Sequence, residues 1–314
     1  MKVMKKLNER EIIKILRNGK FIPDDVETFH LGKQLCAANV DTLVESTDIP
    51  PDSDLSNIAR KSVVSGVSDF AAKGIIPKFC VISVTIPKRF SKNQITKLAK
   101  GFRKACKEFE LEFLGGDTNE GKEIIIHVVV FGKADKIIPR NGSKNNDIII
   151  TTGPFGYTSS ALQILKKKKA GKQFSKISKL KFFKPIPRLK FGYACRNLLS
   201  ASIDSSDGLA SCLQELSINS KKRFVITEFP VNNDVKDFAK NNKLDLKDII
   251  LNGGEEFELV CTVPKRNLEK VQKIAKKLRI KLYEIGFVTN GKHVIFENGV
   301  TKYRIKDIGW VHFL

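Results

Sequence analysis

None of the six cysteines in this 314-residue chain stands in a C-x-x-C pair. Cys36, Cys80, Cys106, Cys195, Cys212 and Cys261 are scattered and mostly flanked by apolar residues. That pattern argues against a zinc ribbon or a disulfide framework and reads as buried free thiols. The four histidines show no metal-ligand spacing, and His127, inside the apolar run Ile124–Phe131, reads as a core residue. No apolar run approaches the roughly eighteen residues of a membrane span. Met1–Arg17 is polar and lysine-rich without an apolar signal core, so the expected location is the cytoplasm. The Walker pattern G-x-x-x-x-G-K-[ST] is missing, and Gly153-Pro154-Phe155-Gly156 resembles a phosphate loop only faintly. Zinc fingers, an aromatic RNA-binding signature, a clear helix-turn-helix, internal repeats and a Ser–His–Asp or Cys–His arrangement are all lacking.

What the chain has in excess is positive charge: 56 lysines and arginines against 34 acids, a net +22. The lysines are widely spread, with one concentration from Lys166–Lys169 through Lys190. This reads as a solvated basic surface that gathers anionic substrates and binds nucleic acid only non-specifically at low salt. At 314 residues and 41% hydrophobic content, two globular domains are expected rather than one. The polar stretch Arg140–Asp147, with Asn-Gly and Asn-Asn, marks the boundary, giving domains 1–141 and 142–314.

The first half alternates strands and helices around a mixed sheet. A helical stripe (Ile12, Ile13, Leu16) stops at Asn18-Gly19, and an acidic turn follows at Asp24-Asp25. Strands are expected over Gln34–Val44, Phe79–Ile86, Leu111–Leu114 and Glu123–Phe131. Helices are expected from Leu55 to Gly74 and over Gln94–Phe109. The second half reads as strands at Ile148–Thr152, Arg223–Glu228, Phe257–Val263, Leu282–Val288 and His293–Glu297. Its helices run to Leu165 and over Val235–Asn241 and Asn267–Leu278, with Lys166–Lys190 a surface helix and loop.

The stretch Ile203-Asp204-Ser205-Ser206-Asp207-Gly208-Leu209 sits at a turn opening a helix, since Leu209, Leu213 and Leu216 follow at helical spacing. Two readings are open: an N-cap aspartate with a second acid near the helix dipole, or two carboxylates converging on a hard cation such as Mg²⁺. Similar acidic turns are expected at Asp24-Asp25, Asp41, Asp69 and Asp117. Acids gathered at turns of a strongly basic protein need a counter-ion. Divalent ions bridging a polyphosphate would supply it, which points to phosphoryl transfer without a P-loop.

The order of these segments carries a resemblance. Asp24-Asp25, Val40-Asp41-Thr42-Leu43-Val44-Glu45, Ser68-Asp69-Phe70-Ala71-Ala72-Lys73-Gly74, Gly115-Gly116-Asp117-Thr118, Asp204–Leu209 and Gly253-Gly254-Glu255-Glu256-Phe257-Glu258-Leu259 follow one another in that sequence. The series resembles the thiamine-monophosphate kinases, of the aminoimidazole-ribonucleotide-synthetase-like ATP-binding superfamily, from about Pro23 to Gly309-Trp310-Val311-His312-Phe313.

The resemblance implies a two-domain PurM-like fold: an N-terminal α/β mixed-sheet domain that binds ATP and Mg²⁺ and dimerises, and a C-terminal α+β domain. It implies transfer from ATP to thiamine monophosphate, assisted by several Mg²⁺ ions, in a cytoplasmic homodimer with no specific nucleic acid and no membrane as partner. It implies Asp25, Asp41, Asp69, Asp117, Asp204 and Asp207 as metal ligands, with Asp41, Asp69, Asp117 and Asp204 central to catalysis. Gly116, Asp117, Arg140 and Ser206 match nucleotide contacts, and Glu255 and Trp310 match substrate contacts. The family usually has Ser-Thr-Asp where this chain has Asn39-Val40-Asp41, and a substrate-site histidine where Asp48 or a neighbour stands. The alternatives are a sister enzyme that activates an amide or selenide oxygen with ATP, or an inactive, basic nucleic-acid-binding relative.

Overall fold

The computed structural model describes residues 7, 9–19, 24–51 and 53–306. Its first half is a five-stranded sheet of β1 (Glu27–Leu31), β2 (Gln34–Val44), β3 (Pro77–Pro87), β4 (Glu112–Gly121) and β5 (Ile125–Lys133), in the order β1-β2-β5-β3-β4. Only β3 and β4 pair in parallel. With it go α1 (Glu9–Leu16), the single turn α2 (Glu45–Asp48), α3 (Leu55–Lys73) and α4 (Lys92–Glu108).

The second half is a seven-stranded mixed sheet of β6 (Ile148–Thr151), β7 (Ala201–Asp204), β8 (Arg223–Ile226), β9 (Leu259–Val263), β10 (Tyr283–Thr289), β11 (Val294–Glu297) and β12 (Lys302–Arg304). Their order is β12-β11-β8-β10-β6-β9-β7. Its helices are α5 (Tyr157–Leu165), α6 (Lys172–Phe183), α7 (Leu189–Cys195), α8 (Leu209–Ser220), α9 (Asn233–Asn241), α10 (Leu246–Leu251) and α11 (Leu268–Lys277).

The helix that positions the site is α3. Asp54 caps its start, accepting from the Asn57 N–H at 3.0 Å, and Gly74 ends it in the left-handed region at φ 68°, where a glycine meets no steric penalty. Nearly the whole helix is buried, on two faces of different chemistry. Val63, Val67 and Phe70 join the core under the first sheet with Val128, Val130 and Ile82. Ala71 and Ala72 join a separate cluster with Phe191, Cys195, Leu259 and Cys261 of the second half. The polar residues on that second side are each bonded across the junction. Arg60 donates to the Pro185 carbonyl at 2.9 Å, and Lys61 meets Glu255 at 2.5 Å. Ser68 donates to Asp204 at 2.8 Å, and Lys73 to the Ser202 carbonyl at 3.4 Å. A buried polar group is tolerated only when partnered, so these bonds lock the two halves together.

The two faces of the first sheet also differ. Ala37, Asn39, Asp41 and Leu43 of β2 alternate towards α3, in register with Val128 and Ile126 of β5. On the opposite face Phe29, Leu31, Val40 and Phe79 stand 42%, 73%, 64% and 39% exposed.

Several sequence expectations change. The Gly115–Thr118 segment is not a turn: β4 continues through it, paired with β3 as far as Gly121. Its packing explains the glycine, because a Cβ on Gly116 would come within 1.7 Å of the Ile82 carbonyl. Asp41 lies in mid-strand and Asp69 within α3, so they reach the site by strand alternation and helix phase rather than on turns. β1 escaped notice because it is an edge strand exposed along its length, without alternation. His127 is half-buried rather than core, its Nδ1 2.9 Å from the Thr42 hydroxyl. The cysteines are free thiols, all buried except the half-buried Cys36.

Candidate functional site

Three chain segments far apart in sequence converge beside α3. The turn before β1 brings Asp25, α3 brings Asp69, and the end of β7 brings Asp204; one carboxylate oxygen from each lies within 4.8 Å of the others. Neither acid of the Asp204–Asp207 turn holds the capping position of α8, which belongs to Gly208. The N-cap reading therefore gives way.

The electrostatics of the three acids are unequal. Burial would raise Asp25, but Lys73 and then Arg140 outweigh it and hold the carboxyl below its ordinary range. Lys73 Nζ, itself fully buried, sits 2.6 Å from Asp25 and also contacts Asp24. Arg140 adds a two-pronged contact to Asp25 at 2.5 and 3.3 Å. Burial, then the nearby Asp41, Asp204 and Asp25, push Asp69 well above the carboxylate range, against a hydrogen bond from Asn39. Burial and Asp25 push Asp204 up to about 8, with Asp41 and Asp207 adding to it and the Ser68 bond opposing. Two of the three acids thus have no cation of their own, and their charge is suppressed by their neighbours.

That donor set fits a hard divalent cation. Mg²⁺ takes oxygen ligands at about 2.1 Å, so two oxygens on one ion stand at most about 4.2 Å apart. The three carboxylate oxygens, all within 4.8 Å of one another, need only a small inward shift at most to share an ion. Charge on the ion would relieve the repulsion that raises Asp69 and Asp204.

The other residues singled out from sequence divide into groups. Asp41 lies next to the cluster, its Oδ2 3.5 Å from Asn39 Nδ2, and Asp207 is an exposed neighbour of Asp204. Arg140 contacts Asp24, Asp25 and Glu215, so its guanidinium is engaged by acids. Ser206 is exposed, and its carbonyl accepts from the Glu255 N–H at 2.7 Å, fastening the two loops to each other. Glu255 and Asp48 come to one place: Glu255 holds Lys61, and a narrow slot beside Lys61 is lined by Asp48, Phe182 and Phe183. Asp48 also accepts from the Val44 N–H at 2.7 Å. An open groove of about 830 Å³, lined in part by Glu45, Ile49, Pro50, Arg89 and Phe90, adjoins the slot through Ile49 and Ile58.

Gly116 and Asp117 are not brought to the cluster. Asp117 is exposed on β4, three strands from Asp41, about 14 Å at the usual strand spacing. Its register partner Ser83 places it on the sheet face opposite α3. Trp310 lies outside the described residues.

The sequence reading missed Asn39, Lys61, Ser68 and Lys73 as site residues. Their signal was available: a lysine, a serine and another lysine inside an otherwise apolar buried helix need partners. The Gly253–Leu259 motif also resolves into separate duties. Glu256 accepts from the Gly156 and Thr158 N–H groups at the start of α5, at 2.7 and 3.1 Å. Glu258 takes Arg188 at 2.6 and 2.5 Å and the Thr152 hydroxyl at 2.8 Å.

Residues 23–134 match the AIR synthase related protein N-terminal domain, and residues 144–297 match its C-terminal domain. The thiamine-monophosphate kinase of Nitrosopumilus maritimus is 47% identical over 313 residues, spanning 99% of this chain and 100% of that one. The chain belongs to the thiamine-monophosphate kinase family. The Pyrococcus horikoshii thiamine-monophosphate kinase is 31% identical, covering 98% of this chain and 97% of its own. Among solved structures, one described as AaThiL complexed with AMPPCP and TMP superposes with a TM-score of 0.87 at 24% identity, over 98% of this chain and 97% of that chain. At that identity the likeness bears on the fold alone, and it is the two-sheet fold described above.

Proposed function

We propose that this protein transfers the terminal phosphoryl group of ATP to thiamine monophosphate, giving thiamine diphosphate and ADP, with Mg²⁺ held by Asp25, Asp69 and Asp204 and assisted by Asp41. The observation that carries the reading is the near-full-length identity to a thiamine-monophosphate kinase, joined to an acidic cluster at the junction of the halves. The divalent cations would neutralise charge as two polyphosphates approach and hold them for in-line displacement.

The chain's own residues do the rest. Lys73 and Arg140 keep Asp25 ionised, and Ser68 holds Asp204. The acceptor is a phosphate oxygen, already ionised near neutral pH, so no general base is required. Alignment and charge neutralisation carry the reaction. Asp207 and Ser206 flank the cluster on the exposed side, where a nucleotide has access. We place the thiamine end in the open groove where it meets the narrow slot, with the Asp48 carboxylate beside it suited to a cationic thiazolium, while Glu255 is engaged by Lys61.

The uncovered face of the first sheet, with Phe29, Leu31, Val40 and Phe79 exposed, supports a homodimer built on that face. Asp117 lies on that face, and we assign its part, with Gly116, to the dimer. We place the domain boundary at 141/142, between the two matched domains, and the protein in the cytoplasm. Among the described residues no helix is long and apolar enough to cross a membrane.

A product assay with ATP, Mg²⁺ and thiamine monophosphate tests the function directly. Thiamine diphosphate should form, and its absence with purified, metal-loaded protein would overturn the reading. Trp310→Ala is expected to raise the KM for thiamine monophosphate several-fold and leave that for ATP little changed, since stacking on a cation contributes about 0.5–2 kcal/mol. A lowered Tm with unchanged KM would make Trp310 a packing residue. The +22 charge raises a rival reading as a nucleic-acid binder. Retention on heparin or DNA should disappear at moderate salt, as delocalised charge predicts. Sequence-selective nanomolar binding at physiological salt would favour the rival.

A further inference from the structure

Asn39 occupies the floor of the acidic cluster and is nine-tenths buried there. Its Nδ2 donates to Asp69 Oδ2 at 2.7 Å and to the Gly66 carbonyl at 3.2 Å, and lies 3.5 Å from Asp41 Oδ2. Three acceptors surround that one nitrogen, which fixes the orientation of the amide: the reverse would set oxygen against oxygen. Its Oδ1 is buried and has no hydrogen-bond partner among the described residues. A residue needed only to fill the space would be apolar, because an acceptor shut away from water and unpaired is destabilising. The donor end is therefore what the position requires.

Room for the amide comes from α3. A Cβ on Gly66 would fall 3.3 Å from Asn39 Oδ1 and 2.7 Å from a methyl of Val130, so a larger residue would press on the amide.

We infer that Asn39 is a positioning residue that sets the cation affinity of the site, its amide holding Asp69 in place beside Asp41 before any ion arrives. This rests on the reading of the cluster as a divalent-cation site. The physical case is specific to an amide. Of the two hydrogens on this neutral nitrogen, one serves Asp69 and the other the nearer Gly66 carbonyl, with Asp41 Oδ2 3.5 Å away, so the amide fixes Asp69 without adding charge of its own. A serine hydroxyl has one hydrogen for the same work, and leucine has none. Without the donor, Asp69 is no longer fixed, and an incoming cation must first draw its carboxylate into place. Outer groups that orient metal ligands are commonly worth 10–100-fold in affinity.

The test is calorimetric titration of the full-length protein with Mn²⁺ in the absence of nucleotide, run on the wild type, Asn39→Leu and Asn39→Ser. The Tm of each in EDTA and the KM for thiamine monophosphate are measured alongside. Asn39→Leu should raise the Mn²⁺ Kd by roughly ten-fold or more. Its Tm in EDTA reports separately on stability, since leucine removes both the orphaned acceptor and the donor to Asp69, and its KM measured at saturating Mg²⁺ should change less than the Mn²⁺ Kd. Asn39→Ser should fall between the two, and it carries the test alone if the leucine variant does not fold. A wild-type Kd in either folded variant overturns the inference, as does a lowered Tm with unchanged Kd. If the wild type itself takes up no Mn²⁺, the cation-site reading has failed first and this inference falls with it.

Discussion

Asp69→Asn is expected to abolish measurable turnover while the protein remains folded. Asp69 is crowded by Asp41, Asp204 and Asp25, which with burial raise its carboxyl well above the usual range. An amide keeps the shape and removes one of these mutually repelling charges, so the Tm in EDTA should stay level or rise. The same change takes an anionic ligand from the site that aligns the phosphates. Losing one such electrostatic element costs about 10²–10³-fold in kcat, or roughly 3–4 kcal/mol. Steady-state kinetics at saturating Mg²⁺ and a melting curve on one preparation separate the two effects. A variant that keeps most of its kcat would make Asp69 a structural polar residue. A variant that unfolds would show that the Asn39 bond to Asp69 serves stability first.

The second large effect is a coupling of pH, metal and stability. Asp204 titrates at about 8 in the folded chain against an ordinary 3.8, so between those values the folded state holds a proton that the unfolded state has released. Stability then falls as pH rises through this window, the reverse of the usual salt-bridged carboxylate. Asp69 shifts in the same direction, and Asp25, held low by Lys73 and Arg140, has the opposite sign but acts only below its ordinary 3.8, outside this window. In EDTA the Tm should drop by several degrees between pH 5 and pH 8. Mg²⁺ should restore it, with a shift larger at pH 8 than at pH 5, because binding requires the deprotonated acids. A Tm in EDTA that is flat or rising over that range, or an Mg²⁺ shift independent of pH, would contradict the assignment of these acids.

The sequence spelled out most elements wherever periodicity was strong. β2 starts at Gln34 as expected but runs on through Asp41 to Val44, where a turn was expected near Asp41-Thr42, and α3 ends at Gly74 as its stop signal requires. Legibility failed where pairing overrode local signals. Glycines 115 and 116 read as a turn, yet β3 pairs along that stretch and draws it into β4. The acids were visible as a set, because six motifs in order mark them. Their grouping was not, since strand alternation and helix phase separate inner from outer acids only once register is known. Asp41 and Asp117 look equivalent in sequence and stand on opposite faces of one sheet. The partners of Lys61 and Asn39 were hidden for another reason: they stand 194 and 30 positions away.

The cluster takes Asp25 from ahead of the first strand and Asp204 from the second half, 179 residues later by subtraction of their numbers. The bonds that α3 makes across the junction likewise wait for the C-terminal half: Arg60 to Pro185, Ser68 to Asp204, Lys73 to Ser202 and Lys61 to Glu255. A chain still emerging from the ribosome can form its first sheet and yet own no site. An ATP-consuming centre is thereby withheld until synthesis has passed the last of its ligands and the two halves have met.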